Sequence, residues 1–265
     1  METFKTLGLD EEVLKGIAKL GFENPTPIQQ QAIPVLLQGD RDFIGLAQTG
    51  TGKTAAFGLP LLQVLDFGQK REQALILAPT RELCVQISND LKDFSSEMRG
   101  VSIVPVYGGA SITKQMDQLK RGAQIVVATP GRLIDLLDRR ALSLNQISFV
   151  VLDEADEMLD LGFRDDLEFI LAAAPPERRT LMFSATVPRA IAELNERAFT
   201  WVCERQTELR GAAPQLATSM RPPSPRSRDQ TLASHRAWRR LRPPAPGPAL
   251  PADQRPGPGR RRNPS

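Results

Sequence analysis

Six short apolar runs recur along the first two thirds of the chain, and most are followed by a segment with helical spacing of apolar residues. In the fourth of these segments, Leu83, Ile87, Leu91 and Phe94 recur three and four positions apart. Apolar runs without polar alternation indicate strands that are buried on both faces. Their alternation with helices is typical of a mostly parallel sheet with helices on both faces. We therefore predict a single α/β domain over residues 1–199.

The pattern predicts both kinds of element with definite bounds. The predicted strands are residues 42–47, 74–79, 102–107, 124–129, 149–153 and 180–184. The predicted helices are residues 11–20, 27–37, 53–65, 82–94, 113–120, 131–138, 164–172 and 188–197.

A glycine-rich turn joins the first predicted strand to the third predicted helix, and it ends in Gly52-Lys53-Thr54. Glycines let backbone N–H groups approach an anion, and the helix that follows directs its positive end at the same point. Lys53 would reach the phosphates, and the Thr54 hydroxyl is a ligand that Mg²⁺ accepts. Ala47 stands where the general phosphate-loop pattern has glycine. The strand-loop-helix context nevertheless predicts phosphate binding.

Two adjacent carboxylates, Asp153 and Glu154, follow the apolar run Phe149-Val-Val-Leu152. Acidic residues at this kind of position can simply mark a solvated helix start, where they complement the helix dipole. Ligands of open α/β sheets, however, bind at the carboxyl ends of the strands. Triphosphate hydrolysis needs a phosphate cradle, a bridging cation and a group that positions water. Together with Lys53, the carboxylates predict a nucleotide triphosphatase.

Four further motifs end predicted strands: Pro79-Thr-Arg81-Glu-Leu, Gly108-Gly109, Thr129-Pro-Gly-Arg132 and Ser184-Ala-Thr186. The first can be read as a capped helix start and the third as a turn. Two of the motifs place an arginine at a predicted helix N-terminus, where guanidinium and backbone N–H groups can hold a phosphate together. That arrangement suits a nucleic-acid backbone.

The composition changes abruptly near position 200. Residues 201–265 contain 13 Arg, 12 Pro, four acidic residues and no Lys, so they carry a charge of +9. The preceding residues contain 21 basic and 27 acidic side chains, a net charge of −6. We predict that residues 200–265 form a disordered tail. The tail is either a basic arm that binds RNA through counterion release or the product of a frame shift near residues 198–201, which resequencing would test.

Other features narrow the class of protein. Cys84 and Cys203 have no neighbouring Cys or His, so neither a disulfide framework nor a metal site is predicted. The one histidine, His235, lies in the predicted tail. The chain has no apolar stretch of membrane-spanning length and no signal pattern at its N-terminus. We therefore expect a cytoplasmic protein without a membrane partner.

These motifs resemble, in order and spacing, those of the first of two RecA-like domains of DEAD-box RNA helicases. The resemblance covers about residues 1–199, and it includes Gly21-Phe-Glu-Asn-Pro-Thr-Pro-Ile-Gln29, Ala47-Gln-Thr-Gly-Thr-Gly-Lys-Thr54 and Asp153-Glu-Ala-Asp156. Ala47 is the usual residue of this family. The implied fold is a RecA-like P-loop nucleotide triphosphatase domain, with an adenine-reading glutamine motif in residues 2–30.

The resemblance implies roles for individual residues. Gln29 would read the adenine edge and Phe4 would stack on the ring; both are expected to bind ATP together with Thr49, Gly50, Thr51, Gly52, Lys53 and Thr54. Lys53, Asp153 and Glu154 would be catalytic, with Mg²⁺ held by Thr54 and Asp153. Ser184, Thr186 and Asp156 would couple hydrolysis to strand separation. Arg81, Gly109, Thr129 and Arg132 would hold RNA by its backbone, without base specificity.

Residues 200–265 depart from the family, because none of the motifs of its second domain occurs there. His235-Arg236-Ala-Trp does not reproduce the family's His-Arg-x-Gly pattern. An arginine finger contributes about 10³ to 10⁵ in turnover. We therefore expect weak ATP binding and poor hydrolysis by this chain alone. A nucleotide-dependent RNA-binding module without enzymatic activity is the alternative. Ribosome assembly and RNA decay are both cellular settings that fit the family.

Overall fold

The computed structural model describes residues 3–39 and 41–186. The predicted helix at residues 188–197, the predicted domain boundary at residue 199 and the predicted tail at residues 200–265 lie outside the described residues.

The described residues form one six-stranded sheet in which every neighbouring pair is parallel. The strand order is β1-β6-β5-β2-β4-β3. The strands are β1 (Phe43–Leu46), β2 (Ala74–Leu77), β3 (Ile103–Val106), β4 (Ile125–Ala128), β5 (Phe149–Asp153) and β6 (Arg179–Ser184). All six predicted strands are therefore present, and the predicted α/β fold with a mostly parallel sheet is confirmed.

Helices cover both faces of the sheet. They are α1 (Glu11–Lys19), α2 (Pro27–Gln38), α3 (Lys53–Val64), α4 (Arg81–Phe94), α5 (Ile112–Lys120), α6 (Pro130–Asp138), α7 (Ala155–Asp160) and α8 (Arg164–Ala173), with a short 3₁₀ turn at Phe4–Leu7. Alternate strand residues supply two separate cores. Ala74 and Ile76 pack with α1–α4, whereas Leu75 and Leu77 pack with α5–α8.

The differences from the predicted bounds are small and have local causes. The strand predicted at residues 74–79 ends at Leu77, since Ala78 and Pro79 already lead into α4. Helix α7 and the 3₁₀ turn at Phe4–Leu7 were not predicted. Both are so short that an apolar repeat of 3.6 residues cannot be recognised in them. No helix within residues 3–39 or 41–186 is long and apolar enough to cross a membrane.

Arg179 fixes the amino end of β6 to α2. Its guanidinium is 8% exposed and donates to the carbonyl oxygens of Arg41, Leu36 (2.7 Å) and Val35 (3.3 Å). Leu36 and Val35 lie in the last turn of α2, where a cation is stabilised by the helix dipole. The Val35 carbonyl oxygen also accepts from the backbone N–H of Gly39 (3.0 Å). This contact sets the position of β6, and hence of the residues that follow it, relative to α2.

Candidate functional site

All of the motifs that were singled out in the sequence lie along one edge of the sheet. The register pairs Leu46 with Ser184, and Asp153 with Phe183, so β1, β6 and β5 end at the same level. On the other side, Leu77 pairs with Leu152 and with Ala128, which aligns the ends of β2 and β4. The parallel sheet thereby brings the phosphate loop, the carboxylates and the two arginine motifs to a common surface.

The phosphate loop requires glycine at position 52. Gly52 has a φ of +86°, and a Cβ there would lie 2.4 Å from Nε2 of Gln29. In the structure that Nε2 donates to the carbonyl oxygen of Gly52 (3.1 Å), while Gln29 Oε1 accepts from the backbone N–H of Thr26 (2.8 Å). Gln29 thus caps α2 and contacts the phosphate loop at the same time.

Lys53 is buried at the start of α3 and points at the carboxylates after β5. Its Nζ lies 3.5 Å from Asp153 Oδ1 and 3.8 Å from Glu154 Oε1. These are ion-pair distances, and within the described residues Nζ has no partner that meets hydrogen-bond geometry. A buried ammonium group with unmet hydrogen-bonding capacity is suited to an anionic ligand. The structure therefore joins residues that are separated by 100 positions in sequence.

The environment of Asp153 is unusual for a carboxylate. Its side chain is 2% exposed. Burial raises the pKa of Asp153 to about 6, and Glu154 acts in the same direction, whereas Lys53 opposes both. Burial disfavours the charged form, and the single lysine compensates only in part. A divalent cation beside Asp153 would stabilise its ionised form, so the predicted role of Asp153 in holding Mg²⁺ fits its surroundings.

Thr54, the other predicted metal ligand, lies next to Lys53 in the first turn of α3. Burial and the nearby Asp93 raise the pKa of Asp90 in α4, and a polar contact with the Thr54 side chain offsets part of that rise. In this structure the Thr54 side chain thus faces α4, and its predicted role as a ligand of Mg²⁺ stays a prediction.

Glu154 adopts a backbone conformation that is rare for a residue with a side chain. Its φ and ψ are 52° and 51°, in the left-handed region, and it caps the N-terminus of α7. Such strain costs about 1 kcal/mol or more and concentrates at functional sites. Glu154 Oε1 accepts from the hydroxyl of Thr49 in the phosphate loop (3.3 Å). The strained backbone thereby directs the carboxylate at the loop.

The predicted coupling residues contact one another. Both the backbone N–H and the hydroxyl of Thr186 donate to Asp156 Oδ2, at 2.9 and 3.0 Å. Burial would raise the pKa of Asp156, but the nearby hydroxyl of Ser184, the hydroxyl of Thr186 and backbone N–H groups lower it below its usual value. The segment after β6 is therefore tied to the start of α7, which follows Glu154 directly.

Phe4 contacts other aromatic residues. Its ring is 4% exposed and stacks on Phe22, with centroids 6.1 Å apart, and Phe22 packs in turn on Phe94. The predicted stacking of Phe4 on adenine stays a prediction. Gln29 lies next to the phosphate loop, and its predicted reading of the adenine edge likewise stays a prediction.

The first of the two arginine motifs on this surface contains Arg81, the first residue of α4. The Thr80 hydroxyl caps this helix by accepting from the N–H of Leu83 (3.2 Å). The Arg81 guanidinium lies 5.1 Å from the ring centroid of Tyr107. Gly109 has a φ of +80°, and a Cβ there would come within 3.2 Å of Arg81 Nη1. Glycine at position 109 therefore keeps the guanidinium accessible.

Arg132 lies in the first turn of α6, close to the N-cap Thr129. Its Nη1 donates to the carbonyl oxygen of Ala110 (3.1 Å) and to Oε1 of Gln115 (2.8 Å). Gln115 and Tyr107 belong to this site but were not among the predicted site residues. A sequence signal existed for Gln115, because it lies three positions after Ile112 and four before Leu119, on the apolar side of α5.

Arg81, Thr129 and Arg132 line one open groove with a volume of about 390 Å³. Phe163 also lines the groove, and so does Gly108 of the loop after β3. Three of the four predicted RNA contacts therefore share this groove, and the fourth, Gly109, is adjacent to Arg81.

A parallel sheet with a lysine-bearing glycine loop after β1 and a carboxylate pair after β5 defines a RecA-like P-loop nucleotide triphosphatase domain. The sequence model of the family described as DEAD/DEAH box helicase matches residues 26–194. The chain belongs to this family.

Several bacterial relatives are similar to this chain. The ATP-dependent RNA helicase CshA of Listeria monocytogenes is 51% identical over 197 residues, which are 74% of this chain and 38% of the relative. The RNA helicase CrhR of Synechocystis is 57% identical over 192 residues, 72% of this chain and 38% of the relative. The ATP-dependent RNA helicase DeaD of Escherichia coli is 53% identical over 195 residues, 74% of this chain and 31% of the relative.

A solved structure has the same fold. The crystal structure of a DEAD box protein from the hyperthermophile Methanococcus jannaschii is 40% identical to this chain, with a TM-score of 0.72. The similarity covers 75% of this chain and 54% of that one. The chain spans about a third of the length of the curated relatives named above.

Proposed function

We propose that this chain binds ATP with Mg²⁺, hydrolyses it, and couples hydrolysis to contacts with the backbone of RNA, as the first half of an ATP-dependent RNA helicase. The observation that carries this proposal is the position of Lys53. Its Nζ is buried at a helix N-terminus between Asp153 and Glu154, and its hydrogen-bonding capacity is unmet among the described residues. The arginine-lined groove on the same edge of the sheet supports the RNA-binding part of the proposal.

In this proposal the nucleotide is held by residues of three segments. The backbone N–H groups of residues 49–54 and the Lys53 ammonium bind the phosphates, where the N-terminus of α3 favours negative charge. Gln29 offers both a donor and an acceptor to the adenine edge. Its present bond to the carbonyl oxygen of Gly52 links adenine recognition to the phosphate loop. The predicted stacking of Phe4 on the ring belongs to the same proposal.

Thr54 and Asp153 would hold Mg²⁺, partly through water. When bound, the cation would neutralise charge that develops on the phosphates. Asp153 is nearly inaccessible to solvent and lies beside Lys53, so it stays close to the phosphate end of the site. This fit supports the assignment.

Glu154 is proposed to orient the attacking water. Its carboxylate is partly exposed and lies 3.8 Å from Lys53 Nζ, and its strained backbone directs it at Thr49 of the phosphate loop. A positioned carboxylate of this kind typically contributes about 10² to 10⁴ in rate.

Thr186, Ser184 and Asp156 are proposed to transmit the state of the nucleotide site. Asp156 lies two residues after Glu154, and Thr186 binds it with two hydrogen bonds. A movement at Glu154 therefore reaches the segment after β6 through a direct polar contact.

RNA is proposed to lie in the groove of Arg81, Thr129 and Arg132, beside Gly109. Arginine side chains and helix N-termini bind phosphates and carry no base code, so binding should be independent of sequence and should weaken with salt.

The experiment that tests the proposal is ATP hydrolysis by the purified full chain, with and without single-stranded RNA. Glu154→Gln should lower the RNA-stimulated rate by about 10² or more while nucleotide binding persists. Glu177→Gln is the matched control, since Glu177 is exposed and precedes β6 at the opposite edge of the sheet. RNA-stimulated turnover that survives Glu154→Gln would refute the assignment.

A non-enzymatic, nucleotide-dependent RNA-binding module is the second candidate. It is favoured by the groove of Arg81, Thr129 and Arg132, whose lining includes none of Lys53, Asp153 and Glu154. Salt-dependent RNA binding that is unaffected by Lys53→Ala, without turnover, would support it. A cytoplasmic location, and a role in ribosomal or RNA-decay assemblies, are further proposals by analogy with the family.

A further inference from the structure

We propose that Gln115 is a positioning residue for the RNA groove, an inference that rests on the RNA contacts proposed above. Its side-chain amide holds Arg132 and the loop of residues 107–110 in one fixed arrangement, so that RNA phosphates meet a preformed surface.

The amide of Gln115 is used at both ends. The side chain is 4% exposed, although glutamine is normally a surface residue. Oε1 accepts from Nη1 of Arg132 at 2.8 Å, and Nε2 donates to the carbonyl oxygen of Tyr107 at 3.1 Å. One buried side chain therefore connects α5 to the end of β3 and to the first turn of α6.

Arg132 makes a second contact with the loop of residues 107–110. The same Nη1 that contacts Gln115 also donates to the carbonyl oxygen of Ala110, at 3.1 Å. The loop is thus held at its first residue by Gln115 and at its last by Arg132. Gly109 lies between these two points, next to the Arg81 guanidinium. The contacts that would receive phosphates are consequently linked through Gln115.

Two other buried glutamines, Gln73 and Gln124, serve a different purpose. Gln73 bonds the backbone of Asp66, and Gln124 bonds the backbone of Ser102 and Phe67, all at the amino ends of the strands. Those bonds join loops on the edge remote from the groove. Gln115, in contrast, orients Arg132, a charged side chain that lines the groove. The loss of Gln115 should therefore affect ligand binding as well as the stability of a loop.

The two bonds of Arg132 both use Nη1, one of the three guanidinium nitrogens. A phosphate approached by Arg132 therefore meets a guanidinium whose plane is already set. Preorganisation of this kind raises affinity because the side chain loses little additional freedom on binding. Methionine at position 115 would keep the length and the packing of the side chain but would remove both hydrogen bonds.

The test is RNA binding by the full chain, measured by fluorescence anisotropy with a labelled ten-nucleotide oligouridylate over a range of KCl concentrations. The variants are Gln115→Met, Arg132→Met and the double variant. Gln118→Met is the control, because Gln118 is exposed on the same helix. Hydrogen exchange of residues 107–114 without RNA is measured in parallel.

We expect Gln115→Met to weaken RNA binding about tenfold and to reduce the slope of log affinity against log salt by up to about 0.7, the value for one phosphate contact on a single strand, because a misplaced Arg132 meets its phosphate in fewer complexes. Arg132→Met should do the same, and the double variant should be no weaker than Arg132→Met, because both changes remove one interaction. A general loss of stability would lower the active fraction but would leave the salt slope unchanged. Exchange in residues 107–114 should be faster in Gln115→Met.

Independent effects that multiply in the double variant, or RNA affinity of Gln115→Met within about twofold of the parent, would overturn the inference while leaving the proposed function intact. A parent chain that binds no RNA would refute the proposed function and with it the RNA role of Gln115. If hydrogen exchange in residues 107–114 is the same in Gln115→Met and in the parent chain, Gln115 does not order this loop, whatever the RNA-binding result.

Discussion

Replacing Gly52 with alanine tests the contact between the phosphate loop and Gln29. Gly52 has a positive φ, and its added Cβ would lie 2.4 Å from Gln29 Nε2, well inside van der Waals contact. Gly50 provides the matched control: its φ is +79°, but a Cβ added there would meet no described atom within 4 Å beyond its chain neighbours. Both substitutions place alanine at a positive φ, and only the one at position 52 adds a clash with the Gln29 amide.

The expected magnitudes follow from these contacts. Alanine in the left-handed region costs about 1 kcal/mol or slightly more, and that is the whole expected effect of Gly50→Ala. Gly52→Ala also displaces the Gln29 amide. That displacement breaks its bond to the Gly52 carbonyl oxygen, worth about 1 kcal/mol. It also breaks the capping contact with Thr26, worth about 1 kcal/mol more. Gly52→Ala should therefore lower the free energy of unfolding by about 3 kcal/mol.

The assay is urea unfolding of the nucleotide-free chain, because phosphates would add contacts of their own to the loop. Both variants should shift the urea midpoint, and the dependence of the unfolding free energy on urea should be unchanged. The same two substitutions are then measured in a Gln29→Ala background. In that background the Cβ added at position 52 has no Gln29 amide to displace. Gly52→Ala and Gly50→Ala should therefore lower the free energy of unfolding by the same amount.

Equal destabilisation by Gly50→Ala and Gly52→Ala in the parent chain would refute the reasoning, because the Gln29 contact would then contribute nothing. So would a difference between the two variants that persists undiminished after Gln29 is removed.

Three further predictions concern other parts of the site and its support. The folded-state pKa of Asp153, about 6, lies above its ordinary value of 3.8, so the folded chain holds this proton more tightly. The contribution of Asp153 to stability should therefore rise as pH falls from about 6 to 4, by up to about 3 kcal/mol, and identical pH profiles for the parent and Asp153→Asn would contradict this. Arg179→Met removes the three hydrogen bonds that its guanidinium donates, including the one to the carbonyl oxygen of buried Leu36, so it should lower the free energy of unfolding by about 3 kcal/mol, measured in urea. A loss below about 1 kcal/mol would argue against a stabilising link from Arg179 to α2. Thr186→Val removes one hydrogen bond to Asp156 and should raise the pKa of Asp156 in a carboxyl NMR titration, whereas an unchanged pKa would show that the hydroxyl is not bonded there.

Local sequence patterns determined much of this protein. Buried strands without polar alternation and helices with a repeat of 3.6 residues are read from short windows, which is why all six strands and seven of the eight described helices were predicted. The glycine turn before Lys53 and the carboxylates after Leu152 were found for the same reason. Each is a run of neighbouring residues whose chemistry is evident without the fold.

Only the tertiary structure decided which of these segments meet. The strand order places β6 between β1 and β5, although β6 comes last in the sequence, and that order brings Lys53 to Asp153. The bond between Gln29 and Gly52, and the bridge from Gln115 to Arg132, join residues 23 and 17 positions apart. Strand pairing and side-chain contacts of this kind depend on long-range packing, and a local repeat of apolar residues carries no information about them.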